Sequence, residues 1–60
     1  MNPYSEVEVL GYLAAQCEVR AANESLSPAC RERDRELARQ HRQAQEAELI
    51  RLANQELEVA

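Results

Sequence analysis

Residues 27–60 read SPACRERDRELARQHRQAQEAELIRLANQELEVA. Past Pro28 the stretch holds no glycine and no further proline, and its length gives about nine helical turns. Pro28 disfavours helical dihedrals at Ser27. That suits Ser27 as an N-cap, with Pro28 at the first helical position, where its missing N–H removes nothing. The stretch predicts one uninterrupted helix over about 28–58.

Upstream, Ser5 and Glu8 have the spacing of a capping box, and Tyr4 and Val9 occupy the two places of a hydrophobic staple. Glu6 and Glu8 suit the positive end of a helix dipole. A first helix is therefore predicted over about 6–22. Asn23–Ser27 forms the turn, with Asn23 as the left-handed residue that closes the first helix. Leu26 is placed to fold back over the hairpin end. A turn this short favours antiparallel neighbours. The fold class expected is all-α: an antiparallel helical hairpin with a long second helix, a single domain over residues 1–60.

At 100° per residue, Val7, Val9, Leu10, Leu13, Ala14, Cys17 and Ala21 share one broad face of the first helix, with Tyr12 and Val19 roughly opposite. In the second helix Cys30, Leu37, His41 and Ala44 form a narrow stripe. The expected hairpin core is Leu10, Leu13 and Cys17 against Cys30, Leu37 and Ala44. Beyond Ala44 the apolar positions change face: Leu49, Ile50, Ala53 and Leu57 turn towards the side the arginines hold. The first helix spans about 25 Å and the second about 48 Å, so the first reaches only to about Ala44. Leu49, Ile50, Ala53 and Leu57 are thus expected to stay uncovered and to meet a second copy or another protein. Gly11 has two readings, a tolerated surface residue or a point of close helix approach.

Size argues for association too. The chain has 60 residues, no Phe and no Trp. Its 45% hydrophobic content leans on alanine. A chain this short buries only about 60% of its unfolded surface, and small scaffolds of this kind usually need a staple, a metal or self-association. A self-associating helical bundle is expected.

Net charge is −4, and all seven basic residues are arginine. Residues 1–27 carry four Glu and one Arg; residues 28–42 carry five Arg and three acids; residues 43–60 carry four Glu and one Arg. An antiparallel hairpin sets the first acidic block against the basic one. Arg31, Arg35, Arg39 and Arg42 form the candidate partner-binding face. It serves as a salt-bridged solvent face, a receptor for an acidic protein, or a phosphate contact for nucleic acid. The overall acidity and the interleaved Glu32, Asp34 and Glu36 weigh against nucleic acid.

Catalytic and cofactor chemistry finds no support. Two cysteines and one histidine are too few for zinc, and they include no close ligand pair. There is no nucleophile–base constellation or Gly-rich loop, and a two-helix hairpin has no pocket of catalytic size. Cys17 and Cys30 fall on faces expected to meet. In a register whose paired positions total about 49, they are either a disulfide or two reduced thiols. The N-terminus MNPYSEVEV lacks the basic and apolar regions of a secretory signal, and no apolar run is long enough for a membrane span. The function expected is a small non-enzymatic, cytoplasmic protein-interaction module that pairs with itself and with another protein. A nucleic-acid regulator or a purely structural coiled-coil subunit is the alternative.

Overall fold

The computed structural model describes residues 2–59 of the chain. Two helices pack against each other as a hairpin, α1 (Ser5–Ala21) and α2 (Pro28–Val59), with no strand among the described residues. Both boundaries fall within a residue or so of the sequence expectation.

The start of α2 follows the expected chemistry. The Cys30 N–H reaches the Ser27 hydroxyl at 3.3 Å and the Arg31 N–H the Ser27 carbonyl at 3.0 Å, an N-cap serine satisfying the orphan donors of the first turn. The start of α1 does not. Tyr4 occupies the cap position and makes no side-chain cap bond, while Ser5 is already helical. Asn2 closes the turn instead: its side-chain oxygen accepts from the Tyr4 N–H at 2.9 Å and its carbonyl from the Ser5 N–H at 3.2 Å. The Asn2-Pro3 pair makes this Asx turn competitive with a Ser5 cap, because asparagine reaches its own backbone two residues on. Tyr4 does not staple to Val9, which is exposed; its hydroxyl donates to Glu56 at 2.8 Å.

Asn23 likewise keeps a negative φ. Its side chain accepts from the Ser25 N–H at 3.0 Å and its carbonyl from the Leu26 N–H at 3.1 Å. The end of α1 is capped from across the hairpin, where the Arg31 guanidinium donates to the Ala21 carbonyl at 2.9 Å. Leu26 is half-buried.

That Arg31 contact resets the register. Pairs that touch across the hairpin total from 52 (Ala21 with Arg31) to 60 (Tyr4 with Glu56), not about 49. The first turn of α2 overshoots the end of α1, which slides α2 by several residues. The expectation that α1 reaches only to Ala44 therefore fails: Leu52 is buried, and Glu56 still meets Tyr4.

The seam is also rotated from the expected stripe. The positions turned inward on α1 are Val7, Leu10, Ala14, Cys17 and Ala21. On α2 they are Arg31, Asp34, Ala38, His41, Gln45, Glu48 and Leu52. Both rows step alternately by three and four residues, the spacing that keeps a seam facing one partner along its length. The expected core is corrected accordingly. Leu10, Cys17 and Leu37 are half-buried, but Leu13, Cys30 and Ala44 are exposed. Nor does α2 switch its inward face near Ala44, since one row runs from Arg31 to Leu52. Cys17 and Cys30 are free thiols. In the observed register they stand about eight or nine residues apart along the axis, roughly 13 Å, which no disulfide spans.

Gly11 is a point of close approach. A Cβ placed there would lie 2.6 Å from the Gln45 side-chain nitrogen, which donates to the Val7 carbonyl at 3.1 Å. Gly11→Ala gains about 1 kcal/mol of helix propensity and displaces a bond of about the same net worth. The expected change in unfolding free energy is under about 1 kcal/mol, checked by denaturant titration. In the alanine background, removing the Gln45 amide should cost nothing further.

Candidate interaction surface

The seam buries little apolar matter. Among the described residues, only Val7, Ala14, Ala21, Ala38 and Leu52 are buried hydrophobics, and no large side chain is fully enclosed. Meanwhile Tyr4, Val9, Tyr12, Leu13, Val19, Leu49, Ile50 and Leu57 are exposed. Long-range order thus rests on Val7 and Leu52, on small residues that let the helices approach and on polar bonds across the seam, while most of the larger hydrophobes point out.

The four candidate arginines are brought together. Arg31, Arg35, Arg39 and Arg42 line one side of an open groove of about 620 Å³; Glu18, Ala21 and Ala22 of α1 line the other, with Ala38 beneath. Each guanidinium has a local partner. Arg35 pairs with Glu32 at 2.8 Å and Arg39 with Glu36, both three residues upstream. Arg42 reaches across to Glu18 at 2.7 Å, and Arg31 holds the Ala21 carbonyl. Glutamate placed N-terminal to its arginine along a helix is the favourable order. The groove is therefore charge-compensated at its rim and alanine-lined at its base. Such a surface can exchange its surface carboxylates for those of a partner at small cost, because exposed ion pairs contribute only about 0–1 kcal/mol each.

Leu49, Ile50, Ala53 and Leu57 lie exposed on α2, 43%, 54% and 75% for the three larger ones. Their exposure has a different origin from the one the lengths suggested: they sit on the flank and back of a covered segment. Comparison with known protein families, curated proteins and solved structures finds no match to this chain. Among the described residues, no helix is long and apolar enough to cross a membrane, and no three or more His, Cys, Asp or Glu side chains gather as a metal set.

One feature of the seam is missing from the sequence expectation: Asp34, 4% exposed, whose Oδ2 stands 3.5 Å from the Arg20 guanidinium yet accepts no hydrogen bond. The three-four alternation of α2 is its signal, masked because five of the seven members are polar. On α1, Tyr12 and Val19 face outward as expected, and Val9 is corrected from the inner face to the outer one.

Glu48 is half-buried on the seam, where hydrogen bonds from Arg51 hold its carboxyl below the ordinary carboxylate value. A depressed folded-state pKa means that the stabilisation is complete above the unfolded value, about 4.3. It is lost as pH falls through the lower folded value. Acid titration followed by circular dichroism should show helix loss in that window, and Glu48→Gln should flatten it. The Tyr4 phenol moves the other way, raised by its hydrogen bond to Glu56. Its contribution persists up to the ordinary value, about 10, and fades as pH climbs through the higher folded one.

Proposed function

We propose that this chain is a small non-enzymatic interaction module that self-associates as a helical hairpin and holds a protein partner. The observation that carries this reading is its packing: small and polar side chains fill most of the seam, while Val9, Tyr12, Val19, Leu49, Ile50 and Leu57 lie exposed. Accessible area agrees. The chain exposes 4723 Å² at 6.8 kDa, against about 3,950 Å² for a compact monomer of that mass. The excess, about 800 Å², goes with an elongated body of 50 × 18 × 11 Å and leaves room for one partner's share of a standard interface. A module that both pairs with itself and holds a partner needs two outward apolar surfaces, and there is one on each helix.

The Leu49–Ile50–Ala53–Leu57 surface and the arginine groove lie on adjoining parts of α2, which fits an acidic amphipathic partner. The two free thiols fit a reducing, cytoplasmic setting. Light scattering tests the reading, with a mass above 6.8 kDa expected for the wild-type chain. Nucleic acid is the competing occupant of the arginine groove. Gel-shift retention of RNA or DNA at low salt, lost on Arg35→Ala with Arg39→Ala, would move the assignment there. Absence of retention at about 50 mM salt supports a protein partner.

A further inference from the structure

α1 is apolar on both faces. Inward it presents Val7, Leu10, Ala14, Cys17 and Ala21; outward it presents Val9, Tyr12 and Val19, which are 55%, 64% and 71% exposed, with Leu13 at the edge. A second apolar stripe on a helix is normally covered too, and α2 covers one side only. The outward row Val9, Tyr12, Gln16, Val19 steps by three, four and three residues and carries no charge.

We propose that this outward face of α1 is the self-association surface, and that its occupant is the same face of a second copy, running antiparallel about a two-fold axis near Ala14. The proposal rests on the self-association put forward above and identifies the face. Three observations commit it to a second copy. First, the row is its own complement on inversion: Val9 and Val19 stand equally far from Ala14, as do Tyr12 and Gln16. Within one helix the Gln16 amide already donates to the Tyr12 hydroxyl at 2.7 Å, so the two side chains are mutually compatible when set opposite each other. Second, the flanking row Glu6, Leu13, Arg20 inverts about Leu13 to place glutamate on arginine at both ends; a parallel pairing would stack like on like. Arg20 is available for this, since only its Nε leans towards Asp34 and its side chain stays 65% exposed. Third, the other flank, Glu8, Ala15 and Ala22, carries small side chains at its middle and at the end opposite Glu8, which allows close approach without setting like charges together.

The Leu49–Leu57 patch offers no comparable complement. Its neighbours Glu46, Glu48 and Glu56 carry one sign, and Arg51 is already held by Glu48. It is the better surface for a different protein.

Glu6 and Arg20 lie about 21 Å apart along one helix, too far to touch within a copy, but within a copy Glu6 attracts Arg51 and Arg20 leans on Asp34, so it is the double variant that isolates contact between copies. The experiment measures dimer dissociation by sedimentation for wild type, Glu6→Arg, Arg20→Glu and the double variant. Each single reversal should weaken the dimer by about tenfold, because two attractive pairs become two repulsive ones, and the double variant should recover to near wild type. Any damage Glu6→Arg does beside Arg51, or Arg20→Glu beside Asp34, persists in the double variant, so recovery cannot come from the hairpin itself. A double variant no tighter than the weaker single overturns the proposal. Val9→Asp with Val19→Asp should yield monomers, whereas Leu49→Asp with Ile50→Asp should leave the dimer intact. The opposite pattern overturns the α1 assignment and leaves self-association standing. A wild-type chain that is monomeric at every concentration overturns both.

Discussion

Asp34→Leu should stabilise the protein. The carboxylate lies on the seam at 4% exposure, one oxygen without a hydrogen bond, and its nearest cation, Arg20, stays in solvent. The desolvation of a buried carboxylate is large, and an exposed guanidinium at 3.5 Å offsets it poorly. Replacing such a group by an apolar residue of similar volume removes the penalty and leaves Arg20 hydrated as before. Leucine also has the better helix propensity, and it extends an apolar row that otherwise holds only Ala38 and Leu52 on α2. A gain of about 1–3 kcal/mol is expected, read as a higher urea midpoint with an unchanged slope. Asp34→Ala gives a smaller gain by the same logic. A loss in both would mean that the carboxylate is held more favourably than its geometry implies.

Leu52→Ala should have the largest effect of opposite sign. Among the described residues of α2, Leu52 is the one large aliphatic that is buried, at 6% exposure. It sits where the N-terminal end of α1 returns, beside the recess it shares with Pro3 and Tyr4. Truncation of a buried leucine costs about 2–5 kcal/mol, which is comparable to the whole stability of a small two-helix unit. The expected result is loss of most helical signal at micromolar concentration. Leu57→Ala, on an exposed residue of the same helix, serves as the control and should leave the helical signal unchanged. If Leu52→Ala unfolds no more readily than Leu57→Ala, the seam described here is not what holds the hairpin.

Much of the fold was legible in the sequence. The Ser27-Pro28 pair, the unbroken run after it and the short turn were enough for two antiparallel helices with their limits. The register was not, because it is set by Arg31 on the Ala21 carbonyl, a long side chain reaching a backbone group that no periodicity marks. Nor was the seam. Sequence periodicity assigns the inside to the larger apolar residues, and here Arg31, Asp34, His41, Gln45 and Glu48 take those places while Leu49 and Ile50 face out. The arginines were found as a set since they share a face at helical spacing; that they border one groove with Glu18 needed the hairpin. The outward row of α1 was half seen, with Tyr12 and Val19 placed opposite the core and Val9 misplaced into it.

The mismatch between local pattern and buried seam has a thermodynamic consequence. On the proposed self-association, the exposed apolar residues are covered only in the assembly, and folding is expected to be coupled to it. The most direct test is the thermal midpoint of the wild-type chain, followed by circular dichroism over a wide range of protein concentration. Coupled folding requires the midpoint to rise steadily with concentration, by mass action. A midpoint independent of concentration, with a monomer mass throughout, would contradict it.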